Sequence, residues 1–224
     1  MKFDFSTDDL SAILWRRLLR DYAWDMDIII SQSISDVQAT EVLREQLQSP
    51  TGSIPVSTSI WLTLLARRIK PKRVFEIGTF IGRSLTAIAR GMKNGTIITC
   101  DAKNGLVVGD MNGVSIECNP GRTSTAVLAE QTEPFDMFFI DGRLQEKDLS
   151  DVRRLSNPMT VYAFDDFEGT AKGVGNVMKM QGALRKENEE MMLVVPPDLN
   201  VRGIYDRSTL ALLIPTTRMR FTYQ

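Results

Sequence analysis

From residue 71 onward, short β-rich runs alternate with amphipathic stretches, and this pattern predicts a doubly wound α/β fold: a parallel sheet with helices on both faces. Two further observations narrow it. A glycine turn, Gly78-Thr79-Phe80-Ile81-Gly82, follows the first strand candidate, and an acidic residue, Asp101, ends the second. At 224 residues the chain is long enough for one complete domain with an appendage. The expected division is an N-terminal helical extension over 1–53, serving as a lid or an oligomer contact, and a main domain over 54–224.

The first helix is predicted over Ser6 to Trp24, where Leu10, Ile13, Leu14, Leu18 and Tyr22 fall three and four apart behind a Ser6-Thr7-Asp8-Asp9 capping signal. A second is expected from Asp36 to Leu47. A third runs from Ser57 to Ile69, after the break at Ser49-Pro50-Thr51-Gly52 and Pro55. Seven strand candidates follow: Arg73 to Ile77, Thr96 to Cys100, Val114 to Glu117, Asp136 to Ile140, Thr160 to Phe164, Met192 to Val195 and Thr209 to Ile214. Helical patterns lie at Arg83 to Met92, Thr123 to Glu130, Leu144 to Leu155 and Val174 to Glu190. The last two strands, joined by a polar loop from Asp198 to Ser208, form an antiparallel hairpin at one edge.

Composition excludes several classes of function. Hydrophobic residues make up 43% and charged residues 25%, the globular norm, and 27 basic against 28 acidic side chains give no field to hold a polyanion. Nucleic acid is not an expected partner, nor is a membrane, because no apolar stretch reaches about 18 residues. The chain starts without a secretory signal, and Cys100 and Cys118 are expected reduced and buried, so a cytoplasmic location is anticipated. Histidine is absent altogether, which removes every mechanism that needs an imidazole.

In a doubly wound sheet, ligands sit beyond the carboxyl ends of the strands. Gly78 and Gly82 let the backbone approach a ligand closely, and the helix that follows aims free N–H groups at it. Asp101 stands 23 residues after Gly78, where a carboxylate accepts hydrogen bonds from both hydroxyls of a ribose. The spacing is neither Gly-x-Gly-x-x-Gly nor a phosphate-binding loop, and no Tyr-x-x-x-Lys pair for hydride transfer appears. Glu76 is expected at the mouth, repelling a pyrophosphate and welcoming a cationic amino-acid tail. S-adenosylmethionine is thereby favoured over NAD, with a nucleotide-dependent oxidoreductase as the alternative and a non-catalytic cofactor-binding module as a third reading. Candidate cofactor contacts are Glu76, Gly78, Thr79, Gly82, Ser84, Asp101 and Asp141.

The stretches Lys72-Arg73-Val74-Phe75-Glu76-Ile77-Gly78-Thr79, Gly82-Arg83-Ser84, Ile98-Thr99-Cys100-Asp101, Phe135 to Gly142 and Ala163-Phe164-Asp165-Asp166 together resemble the class I S-adenosylmethionine-dependent O-methyltransferases. The likeness is to the metal-dependent catechol and caffeoyl-coenzyme A type and related small-molecule enzymes, over roughly residues 54 to 215. It implies a Rossmann-like seven-stranded sheet in the order 3-2-1-4-5-7-6 with strand 7 antiparallel. It further implies that Glu76 and Gly78 face the methionine part, Asp101 the ribose, and the Pro120 to Arg122 loop, with Arg122, the adenine.

Asp141 ends the fourth strand and Asp165-Asp166 the fifth, and neighbouring strand tips lie about 4.8 Å apart. Three converging carboxylates form an oxygen-only site suited to Mg²⁺ or another divalent cation, and the resemblance implies the same ligands. The chain departs from the family after Asp141, where Gly142-Arg143-Leu144-Gln145-Glu146-Lys147 puts no lysine immediately where a base is expected. The candidate catalytic residues are Asp141, Asp166 and Lys147, which is six residues on. The expected activity is methyl transfer to a hydroxyl of a small molecule by a metal-assisted enzyme. A homodimer is the expected assembly.

Overall fold

The computed structural model describes residues 10–47, 53–103, 108–111, 113–185, 190–201 and 204–217. Three helices open the chain, α1 (Leu10–Asp21), α2 (Met26–Gln46) and α3 (Val56–Ile69). Alternation then begins with β1 (Arg73–Ile77), α4 (Arg83–Gly91), β2 (Gly95–Asp101), β3 (Val114–Pro120), α5 (Ser124–Ala129), β4 (Phe135–Ile140), α6 (Glu146–Arg154) and β5 (Ser156–Phe164). A short π-helix at Thr170–Val174 leads into α7 (Gly175–Arg185), followed by β6 (Met191–Val194), β7 (Leu199–Val201), β8 (Ile204–Asp206) and β9 (Ala211–Pro215).

Seven strands make one sheet in the order β3-β2-β1-β4-β5-β9-β6, with β9 antiparallel to both of its neighbours. This is the expected topology, and the strand anticipated as the seventh is β9. The numbering moves because the Asp198 to Ser208 segment, expected as a loop, pairs with itself as the small hairpin β7-β8. Register, more than strand order, decides which side chains meet at the sheet's edge. Ile77 pairs with Cys100 on one side and Ile140 on the other, and Ile140 pairs with Phe164. The tips of β2, β1, β4 and β5 are therefore level, and Asp101, Gly78, Asp141 and Asp165 follow one another along a single rim.

Both sheet faces are covered, as near-continuous apolar strands require. Val74, Ile97, Met137, Phe139 and Val161 pack under α3 and α4, while Phe75, Ile98, Phe138, Ile140 and Tyr162 pack under α5, α6 and α7. The N-terminal helices share the first of these cores: Trp15, Leu18, Met26, Ile29 and Ile30 belong to it, and the Trp15 and Trp61 rings lie 4.6 Å apart. Helix α2 begins ten residues earlier than the sequence predicts, at Met26 rather than Asp36. Its start is set by burial of Met26, Ile29, Ile30 and Ser33 along one side, which overrides the β propensity of the three consecutive isoleucines.

Two arginines fasten α2 to α4. Arg83 is 4% exposed and donates to Thr40 Oγ1 (2.8 Å), Ile54 O (2.8 Å) and Val37 O (3.3 Å), with Glu41 at 3.2 Å. Two turns on, Arg90 forms a bidentate pair with Asp36 (2.6 and 2.7 Å). Cys100 is buried and Cys118 half-buried; neither is in a disulfide. Helix α7 ends at Arg185, and the rest of the stretch predicted up to Glu190 lies largely outside the described residues. No described helix is long and apolar enough to cross a membrane.

Candidate functional site

The rim carries a cavity of about 1120 Å³, larger than the roughly 300–1,000 Å³ usual for a single small ligand. Its walls include Gly78, Phe80, Asp101 and Lys103 at one end, Thr123, Ser124 and Thr125 along the side, and Asp141, Asp165, Asp166 and Lys172 at the other.

At the β1 end the backbone comes first. Gly78 has φ +98°, and its N–H donates to Cys100 O at 2.9 Å. A side chain at this position would press on the Asp141-Gly142 backbone, 3.3 Å away at Gly142 N. The loops after β1 and β4 are thus in contact through a residue that only glycine fills without strain. The N–H groups of both Asp141 and Gly142 donate to Ile77 O (2.9 and 3.0 Å), which closes the seam.

Asp101 lines the cavity as expected. Its Oδ2 accepts from Phe80 N and its Oδ1 from Lys103 N, both at 2.8 Å. A carboxylate offers about four acceptor positions, so two amides aim the group without exhausting it. Glu76 departs from its expected place. It is fully buried beneath the turn and outside the cavity wall, with Oε1 accepting from Ser84 Oγ and Oε2 from Thr99 Oγ1, each at 2.6 Å. Alternation along β1 is the cause: residue 76 lies between Phe75 and Ile77 and points to the opposite face. Burial pushes its carboxyl up to about 7, against the lowering effect of the two hydroxyl donors.

Thr79, hydrogen-bonded to Thr99 at 2.5 Å, and Ser84 belong to this same buried network, and Gly82 supplies the left-handed turn before α4. They shape the loop from below. Arg122 is also drawn away from the cavity, to Glu130 (2.5 Å) and Asn119 (3.1 Å), and Thr123 to Thr125 stand in the position expected of it.

At the far end the structure assembles the three predicted carboxylates. Oxygens of Asp141, Asp165 and Asp166 all lie within 4.8 Å of one another. Asp165 Oδ1 accepts from Thr209 Oγ1 at 2.5 Å, so the residue entering β9 also fixes the site. Asp166 is held at φ 55°, a left-handed conformation that costs a non-glycine residue of order 1 kcal/mol and that the surroundings must enforce. Burial, with Asp165 beside it, pushes the Asp141 carboxyl well above the usual carboxylate range; burial likewise raises Asp165.

Lys147 is not part of this cluster. It is exposed on the first turn of α6 and does not line the cavity. The lysine at the site is Lys172, on the π-helix after β5, whose Nζ bonds Asp141 Oδ1 and Asp166 Oδ2, the latter at 2.6 Å. The sequence holds one signal for it: a lysine inside the glycine-rich stretch Gly169-Thr170-Ala171-Lys172-Gly173-Val174-Gly175, shortly after the acidic pair. For a divalent cation the oxygen-only donor set is suitable, but the position between Asp141 and Asp166 is taken by an ammonium. With Lys172 seated there, the cluster does not fit a second, doubly charged ion at the same oxygens.

No family model and no curated protein matches the sequence. Solved structures do match it. An O-methyltransferase from Bacillus cereus in complex with SAH superposes with a TM-score of 0.58 at 17% identity, over 80% of this chain and 90% of that one. The O-methyltransferase TomG from Streptomyces achromogenes, in complex with SAM, gives 0.57 at 20% identity over 80% and 89%. The SAH-bound methyltransferase PaMTH1 from Podospora anserina gives 0.54 at 14% identity over 96% and 99%. The fold is the Rossmann-like methyltransferase fold. At these identities the likeness establishes architecture, and the roles of the rim residues rest on their own chemistry.

Proposed function

We propose that the protein transfers a methyl group from S-adenosylmethionine to a hydroxyl of a small molecule. One observation carries the reading: the glycine floor at Gly78 and the aimed carboxylate of Asp101 open into the same cavity as the Asp141, Asp165, Asp166 and Lys172 cluster. A nucleoside end and a reacting end are thereby joined, with volume for both a cofactor and an acceptor. The residues fit the cofactor. Asp101 has acceptor capacity left for a ribose, and Gly78 leaves the floor without a side chain.

When bound, S-adenosylmethionine supplies an electrophilic methyl on its sulfonium, which passes to an oxygen and leaves S-adenosylhomocysteine. The chain's own residues account for the rest. Asp101 would hold the ribose end, and Thr123 to Thr125 border the space beside it. Asp141 or Asp166 takes the hydroxyl proton as the oxygen gains its new bond to carbon. Seating both ends on one rim of level strand tips would restrict how the acceptor's oxygen can approach the cofactor. No step is assigned to a divalent cation, because Lys172 already compensates Asp141 and Asp166.

The test is a thermal-shift panel with S-adenosylhomocysteine, NAD and NADP, followed by mass-spectrometric detection of methylated product from a set of diol and phenol acceptors. Stabilisation by S-adenosylhomocysteine alone is the expected outcome. Stabilisation by NAD and not by S-adenosylhomocysteine would reverse the reading in favour of an oxidoreductase.

A further inference from the structure

We infer that the ammonium of Lys172 is the resident cation of this site, standing where a divalent ion would otherwise bridge Asp141 and Asp166 and presenting its remaining N–H to the acceptor's oxygen. The part that concerns the acceptor rests on the methyl-transfer reading; the part that concerns the cation does not.

The backbone is built to put the ammonium there. Gly173 packs directly against the acidic pair: a Cβ at this position would lie 2.2 Å from Asp166 O and 2.5 Å from Asp165 O. Any other residue would push the two segments apart. The neighbouring turn is widened to a π-helix, with Val174 N donating to Gly169 O at 3.2 Å, a bond between residues five apart. Such insertions often mark functional sites, because they re-aim one side chain out of helical register. Here the re-aimed side chain is Lys172. It is half-buried and reaches back across the tip of β5 to Asp141, 31 residues earlier in the chain.

An ammonium has three donors and no acceptor. Two are spent on Asp141 and Asp166, and Lys172 lines the cavity with both of them. The third donor is therefore available to an oxygen entering from the cavity. It can hold a hydroxyl, or the oxyanion that forms as a carboxylate takes the proton, which is the service a metal ion would give by direct coordination. A lysine also differs from a bound metal in a way that can be measured, since it cannot be chelated away.

The experiment uses Mn²⁺ alone as the probe, followed by electron paramagnetic resonance on the full chain, with the wild type compared against Lys172→Met. The wild type is expected to bind no stoichiometric Mn²⁺ below millimolar concentration. Lys172→Met, which removes the charge and keeps most of the length, should acquire one Mn²⁺ per chain with affinity tighter by at least about 30-fold. Adding Asp166→Asn to that variant should abolish the gain. If Lys172→Met does not fold, Lys172→Gln provides the same comparison.

In parallel, wild-type turnover should be unchanged by EDTA. Lys172→Met should lower kcat on the order of 100-fold without altering S-adenosylhomocysteine affinity. Tight Mn²⁺ binding by the wild type, or no gain in the variant, overturns the inference. Absence of S-adenosylhomocysteine binding would instead sink the methyl-transfer reading and leave the Mn²⁺ result to decide the cation.

Discussion

The two ends of the cavity handle buried negative charge in opposite ways. Under β1 and β2, Glu76 and Asp101 are held by neutral donors, two hydroxyls for the first and two backbone amides for the second. Beyond β4 and β5, three carboxylates crowd together; one ammonium bonds Asp141 and Asp166, and a hydroxyl bonds Asp165. Burial dominates at both ends, raising Glu76 despite its two hydroxyl donors and Asp141 despite its ammonium. An ammonium supplies charge that can be shared with whatever enters. The first arrangement makes a frame, and the second makes a place where protons and oxygens can change partners.

Substitutions can break that contrast, and the largest effect belongs to the charged end. Asp141→Asn should reduce methyl transfer on the order of 1,000-fold, within the range ascribed to general-base loss, while the melting temperature moves by only a few degrees. Steady-state kinetics alongside calorimetry checks both halves. A comparable loss of stability would mean that the cluster is structural.

At the neutral end the next effect is on folding and depends on pH. The folded-state pKa of Glu76, about 7, lies above its ordinary value of 4.5, so the unfolded chain gives up this proton first. Its contribution to stability is complete at low pH and is lost as pH rises toward 7 and above. Glu76→Gln should remove that loss and gain on the wild type by about 1–3 kcal/mol between pH 5 and pH 8. Urea denaturation at the two pH values measures it, and parallel curves for the two proteins would refute the burial argument.

Asp101→Ala should weaken S-adenosylhomocysteine by about 10- to 100-fold, the value of a charged hydrogen-bonding group, with a smaller change in kcat. Isothermal titration gives the affinity. The smallest effect is reserved for Arg122→Ala. Its guanidinium is paired with Glu130 and turned from the cavity, so cofactor affinity should change less than about 2-fold, as expected for a surface pair.

The strands and the acidic rim are legible in the sequence because they come from local patterns: alternation of strand and helix, glycine after β1, aspartate at three strand tips; the strand order comes instead from the resemblance to a known family. Which way a side chain faces, and which distant residue meets it, is not local information. Closeness to Gly78 suggests the mouth for Glu76, yet one residue of offset on a strand carries it to the other face. Nearness to Asp141 in sequence favours Lys147, whereas α6 turns it outward and the residue that reaches Asp141 comes from beyond β5. Helix α2 starts early because of a core supplied by α1 and α3, which no window of its own sequence contains.

The pair of arginines on α4 gives the amino-terminal helices a stake in ligand affinity. Arg83 is the first residue of the helix whose origin forms the turn under the Asp101 end of the cavity, and four acceptors in α2 and the segment before α3 hold it. Trimming the chain past residue 46 would release that anchor and loosen the turn from behind. A shortened protein should then bind S-adenosylhomocysteine more weakly than the full chain, although the described residues that line the cavity are all still present.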